Sequence, residues 1–224
     1  LPFIAAALLN AANLLLAYFM LPESHTPARQ KIDLKALNPL GPLRWIFEMK
    51  GLLPIVLVYF IINAAGQSYP VCWAIWGIDV FQWNGLWIGL SLGAFGLFQM
   101  LVQAFLPGPA TRLMGERWAV IAGTAFSCLA LVIVAFATRT WIVFALMPLF
   151  ALGGIGAPAF QAFATRQVDP THQGQLQGVL ASALSVASII APLAFSSFYS
   201  VVQESWPGAV WLFVAAVEVL VIPL

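Results

Sequence analysis

Charge is what this sequence has least of. Of its 224 residues 8% are charged and 62% hydrophobic, and the mean hydropathy is +0.95. Soluble domains carry about a quarter charged residues, so an ordinary soluble fold is excluded. The net charge of +1 leaves no basic surface for nucleic acid. Cysteine is scarce: Cys72 and Cys128 both sit in apolar runs and read as buried thiols, not a disulfide pair. The two histidines, His25 and His172, fall in polar breaks. No His/Cys cluster has metal-ligand spacing, so neither metal nor cofactor is expected. Catalytic arrangements such as paired carboxylates or a Ser/His set are missing from the apolar runs, which argues against an intramembrane enzyme.

What is present is a series of long apolar runs, at approximately 3–21, 52–78, 86–106, 117–137, 141–161, 174–200 and 207–224. Most approach the ~20 residues that cross a bilayer. Backbone groups in lipid must bond within their own segment, so these runs are expected to be helices. The expected fold is all-α, a polytopic membrane bundle of about seven transmembrane helices. It divides into a helix at 1–21, a cytoplasmic linker at 22–51 and a six-helix bundle at 52–224. The linker holds Pro22, Pro27, Pro39, Gly41 and Pro42. The first run starts without Met and the last stops at "VLVIPL" with no flanking charge, so the expectation is a piece of a larger membrane protein. Arg29, Lys31, Lys35, Arg44, Lys50, Arg112, Arg117 and Arg166 fall in alternate breaks, and only Arg139 falls in the others. This asymmetry puts 22–51, 107–116, 162–173 and the C-terminal end in the cytoplasm. A six-helix bundle behind a linker resembles one half of a twelve-span transporter built from two repeats.

The polar residues inside the runs are the candidate site. Asn63 and Gln67 lie four apart, as do Gln99 and Gln103, so each pair shares a helix face. They either line a wet cavity or bond across to neighbouring helices. An amide offers donors and acceptors without the desolvation cost of an ion. Gly66 and Pro70 beside the first pair predict a kink, because Pro70 frees the Gly66 carbonyl. Gly85, Gly89 and Gly93 form a stripe that admits a close helix. Gln99 lies six residues past Gly93, about 240° beyond a full turn, so the glutamines face elsewhere. "FALGGIGAPAFQ", with Gly153, Gly154, Gly156, Pro158 and Gln161, reads as a bend or as tight packing. Gly174, Gly178, Ser182, Ser185 and Ser188 read as packing surface. Glu218 is the one acid inside a run, either a proton-relay group or a residue near the cytoplasmic interface. Asp79 reads as an interfacial cap. Trp73, Trp76, Trp83, Trp87, Trp141 and Trp206 read mainly as an aromatic belt, with Trp73 or Trp76 able to stack on a flat ligand.

"LPFIAAALLNAANLLLAYFMLPES" resembles the sixth span of tetracycline-efflux transporters of the major facilitator superfamily. "FQWNGLWIGLSLGAFGLFQMLVQAF", "GERWAVIAG" and "HQGQLQGVLASALSVASIIAPLAF" resemble later stretches of the same family, in register. The resemblance implies a proton-driven antiporter of the bacterial inner membrane, of which this chain covers spans six to twelve. Its partners would be a small organic drug, protons, the bilayer and the missing N-terminal half. "GPATRLMGER" resembles the second copy of the superfamily's cytoplasmic loop motif, with Gly108, Gly115 and Arg117 in place and Arg112 where the motif is acidic. Gln103 falls where those exporters carry a glutamine, Gln99 where they carry a histidine tied to proton coupling, and Ser127 where they carry an aspartate. The expected reading is export of a tetracycline-like drug, with Asn63, Gln67, Gln99, Gln103 and Gln161 lining this half's side of the substrate path. A non-transporting truncated piece, or a major facilitator transporter of another small molecule, are the alternatives.

The charge asymmetry makes a direct prediction. In intact cells Thr138→Cys reacts with a membrane-impermeant maleimide, whereas Thr171→Cys reacts only after permeabilisation. The opposite pattern reverses the orientation.

Overall fold

The computed structural model describes residues 2–20 and 51–222. The linker expected at 22–51, with its prolines and basic residues, lies outside the described residues except for Gly51. The chain divides into two units, 1–38 and 39–224. In the first, α1 (Pro2–Met20) is one unbroken apolar helix. At 1.5 Å per residue it is about 28 Å long, close to a bilayer's hydrocarbon thickness.

The second unit is a helical bundle, and no strand occurs among the described residues. Its first span is split into α2 (Leu52–Gly66) and α3 (Ser68–Phe81). The split falls where the sequence predicts it: Pro70 has no N–H to return to Gly66, and Gly66 resists helix least when disrupted. Asn84 caps α4 (Gly85–Phe105), its side chain accepting from the backbone N–H of Leu86 and Trp87 at 3.1 and 3.2 Å. The short α5 (Pro107–Met114) turns into α6 (Glu116–Ala135) at Gly115, whose φ of 80° suits glycine. The fifth span comes in three pieces: α7 (Thr140–Ala145), α8 (Met147–Gly153) and α9 (Gly156–Arg166). The second break falls at the glycines that read either as a bend or as tight packing. The first follows from Pro148, which removes the donor to the Phe144 carbonyl. Then come α10 (Gln173–Val202), 30 residues, and α11 (Ala209–Val219), only 11. Among the described residues five spans are long and apolar enough to cross a membrane, with α1 and α11 as shorter apolar helices.

The helix α6 is the hub, packing against α11, α9 and α8, while α2 lies on α10 and α4 on α8. In lipid the hydrophobic effect does not press helices together, so close approach and dispersion must. Gly123 shows this: a Cβ there would stand 2.8 Å from the Gly156 nitrogen and 2.9 Å from the Gly153 oxygen, so α6 and α9 meet backbone to backbone. Buried side chains form two cores at opposite ends of the bundle. One is built on Leu52, Val120, Phe160 and Leu176, the other on Trp76, Leu131, Met147 and Trp211.

The tryptophans divide differently from the expected belt. Trp87, Trp141 and Trp206 are exposed, but Trp73, Trp76 and Trp83 are 5%, 1% and 4% exposed and belong to the core. Their rings pack on one another at 5.5 to 6.3 Å, and two N–H groups are satisfied inside, Trp73 to Ser91 Oγ and Trp83 to Thr140 Oγ1. The small-residue stripes also differ from expectation. Gly85, Gly89, Gly93, Gly174 and Gly178 face open space among the described residues, and Ser182, Ser185 and Ser188 are exposed and bond back to their own helix. Both stripes are free faces of the unit, not contacts within it.

These contacts rank the glycines. Gly123→Ala should lower stability by about 1–3 kcal/mol through overpacking, whereas Gly89→Ala should stay within ~1 kcal/mol or gain slightly. Thermal unfolding of the detergent-solubilised protein measures both.

Candidate functional site

The breaks in the spans generate the site. Pro158 lacks the N–H that would bond the carbonyl of Gly154, four residues earlier, so that carbonyl is left over at the α8–α9 break. Gln103 of α4 takes it, its Nε2 donating to the Gly154 oxygen at 3.2 Å. Gln99, one turn away, presses its Nε2 against the same glycine, where any Cβ would collide with it. Its Oε1 is buried with no hydrogen-bond partner among the described residues. The two glutamines therefore act together, on the backbone of a helix break.

The other amides are not brought to them. Asn63 donates to the Tyr59 carbonyl of its own helix at 2.8 Å. Gln67 is the joint between α2 and α3, its N–H shared by the carbonyls of Asn63 and Ala64 at 3.2 and 3.1 Å. Gln161 is partly buried on α9, with its carbonyl accepting from Thr165. None of the five lines either of two cavities in the bundle.

The first of these cavities, about 310 Å³, is aromatic. Tyr69, Pro70, Trp73, Ile88, Phe95 and Phe150 surround it. Tyr69 stacks on Phe95 at 6.5 Å and meets Phe150 edge-on at 5.9 Å. Trp73 is held by its bond to Ser91 at 2.9 Å, and Ser91 in turn donates to the Ile88 carbonyl at 2.7 Å. Of the two tryptophans offered by the sequence for stacking, Trp73 reaches the cavity and Trp76 does not. The volume is at the lower end of ligand-site sizes, and the chemistry suits a flat apolar ring system with few polar groups. A second cavity of about 350 Å³ lies between α2, α6 and α9, with Arg117, Phe160 and Val221 in its wall.

Glu218 lies at mid-depth. Ser127 Oγ donates to its Oε1 at 3.0 Å, and Cys128 Sγ approaches its Oε2 at 3.6 Å. Ser127 is eleven residues into α6, about 16 Å from its start at 1.5 Å per residue. The Glu218 carboxyl therefore lies well inside the bundle along the length of α6. Asp79 is likewise more than a cap: its Oδ2 accepts the Tyr199 hydroxyl at 2.6 Å, tying α3 to α10. Of the two cysteines, Cys72 is buried and Cys128 only partly so.

In the loop motif, Gly115 supplies the positive φ, Gly108 accepts from Thr111, and Arg117 is exposed beside the second cavity. The ion pair nearby is one the motif does not announce. Glu116 at the start of α6 meets Arg166 at the end of α9 at 3.1 Å. With Arg166 largely exposed, it is worth about 0–1 kcal/mol. No group of three metal-ligating side chains occurs among the described residues.

Comparison with known proteins adds lineage to this geometry. Residues 55–224 match the family model described as Major Facilitator Superfamily. The chain is 46% identical over 222 residues to a protein of Escherichia coli named tetracycline resistance protein, class C, covering 99% of this chain and 56% of that protein. The class G protein of Vibrio anguillarum is 40% identical, covering 100% of this chain and 57% of its own length. The class E protein of Escherichia coli is 35% identical, covering 94% and 52%. The chain thus spans about half the length of the curated relatives it matches.

The clamp on Gly154 is testable by coupling. Gly154→Ala should cost about 1–3 kcal/mol, because the methyl strikes the Gln99 amide. Gln99→Ala in the same chain should return at least ~1 kcal/mol of it, a non-additivity read from thermal unfolding of the four variants.

Proposed function

The chain belongs to the major facilitator superfamily, and on that basis we propose that it is the last span of the first half and the second repeat of a membrane transporter exporting tetracycline-like drugs in exchange for protons. The observation that carries this reading is its 46% identity, across 99% of its length, to a tetracycline resistance protein. In this reading 1–21 is the last span of the first half, 22–51 the cytoplasmic linker and 52–224 the second repeat. The protein lies in the bacterial plasma membrane with its C-terminal end in the cytoplasm. The missing N-terminal half supplies the other wall of the substrate path, and rocking of one half against the other gives alternating access.

The substrate meets this half on two surfaces. The aromatic cavity at Tyr69, Trp73 and Phe95 takes apolar ring surface. Gln99 and Gln103, the two amides brought together at the Gly154 break, supply uncharged hydrogen bonds. Gln103 exchanges its bond to Gly154 for one to the substrate, so that binding loosens the α8–α9 break between Pro158 and Gly153. That is a differential contact between two states, which a conformational change requires. Gly108, Gly115 and Arg117 hold the turn from α5 to α6 that the motion must respect.

Drug accumulation in cells expressing the complete transporter tests this. Cells should accumulate several-fold less tetracycline than controls, and a protonophore should abolish the difference. Low accumulation that persists with the protonophore present overturns proton-driven export.

A further inference from the structure

We propose that Glu218 is a proton-binding carboxyl of this half, and that Tyr69 and Ser127 connect it to the aromatic cavity. The inference deepens the export reading and rests on it only for the link to substrate. Glu218 is 9% exposed and at mid-depth in the bundle. A carboxylate kept for structure at such a depth is expected to meet Arg or Lys. Among the described residues no basic side chain faces this one. The groups around it are Ser127 and Cys128 from α6 and Tyr69 from α3.

Those three share a property. Each is a hydroxyl or thiol, able to donate or to accept by turning one hydrogen. Ser127 donates to an ionised Glu218 and can accept from the carboxylic acid at the same 3.0 Å. The cluster therefore holds either protonation state without moving a heavy atom, which an ion pair cannot do. A proton arriving from water forms the O–H bond of the acid. The same proton leaves to water when that bond breaks, and the carboxylate is restored.

Tyr69 provides the connection. Its ring is a wall of the cavity, while its hydroxyl lies beside Ser127 and within electrostatic reach of Glu218. It also sits two residues past the Gln67 joint. An occupant of the cavity thus pushes on a side chain whose hydroxyl faces the Ser127 and Glu218 pair.

Two measurements on the complete transporter in lipid test the proposal. In infrared difference spectra across a pH titration, the wild type should show the carbonyl stretch of a titrating carboxyl that Glu218→Gln lacks and Glu218→Asp retains. Spectra unchanged by Glu218→Gln overturn proton binding, whether or not the protein transports tetracycline. In vesicles, Glu218→Gln should lose at least ten-fold of pH-gradient-driven tetracycline transport while keeping tetracycline counterflow within about two-fold. Full gradient-driven transport by Glu218→Gln overturns the proposal, as does loss of counterflow in both Glu218→Gln and Glu218→Asp. A wild type that moves no tetracycline refutes the export reading instead, and the infrared result then decides the proton site alone.

Discussion

Inside a bilayer each backbone carbonyl and N–H must find its partner in the protein, because no water is there to supply one. That constraint organises this structure. Proline is the residue that violates it, and the spans contain prolines at 70, 148 and 158 whose carbonyl partners four residues back are orphaned. Each of these three coincides with a break, Gln67 between α2 and α3, Leu146 between α7 and α8, and Gly154 to Ile155 between α8 and α9, whereas Pro192 is carried inside the unbroken α10. At the last, a side chain from another helix makes good the loss, with Gln103 bonded to the Gly154 oxygen. The amide is where it is because a proline is where it is.

The same logic explains why the polar groups are local and few. Asn63 satisfies itself on its own helix, and the serines of α10 do likewise. Besides Gln103 to Gly154, the bonds that cross between segments include Trp73 to Ser91, Trp83 to Thr140, Tyr199 to Asp79, and Ser127 to Glu218. They sit at contacts where aromatic or backbone packing has already excluded lipid. Packing comes first, at places such as Gly123 against Gly156, and the bonds fix its register.

Much of this was legible in the sequence, and the reasons are physical. Apolar run lengths report helices because lipid permits little else, and the Pro70 and Gly154 breaks follow from counting back four residues. That Gln103 and Gln99 share a face was readable from their spacing, but not that this face meets Gly154, since spacing describes one helix and not its neighbour. The same limit hid the Glu116 and Arg166 pair, and the depth of Glu218, which only its contact with Ser127 reveals. Tryptophan misled for a different reason. Its preference for interfaces is a property of the isolated side chain, and at Trp73, Trp76 and Trp83 it gives way to mutual packing with hydrogen-bond partners for two of the three.

That aromatic cluster has an optical consequence. The indole rings of Trp73, Trp76 and Trp211 lie 5.4 to 5.5 Å apart and Tyr69 is 5.7 Å from Trp211, so excitation absorbed by one is shared among them. Because Trp73 and Tyr69 also wall the cavity, part of the cluster that shares this excitation borders that space. The protein carries its own fluorescent gauge of what lies there.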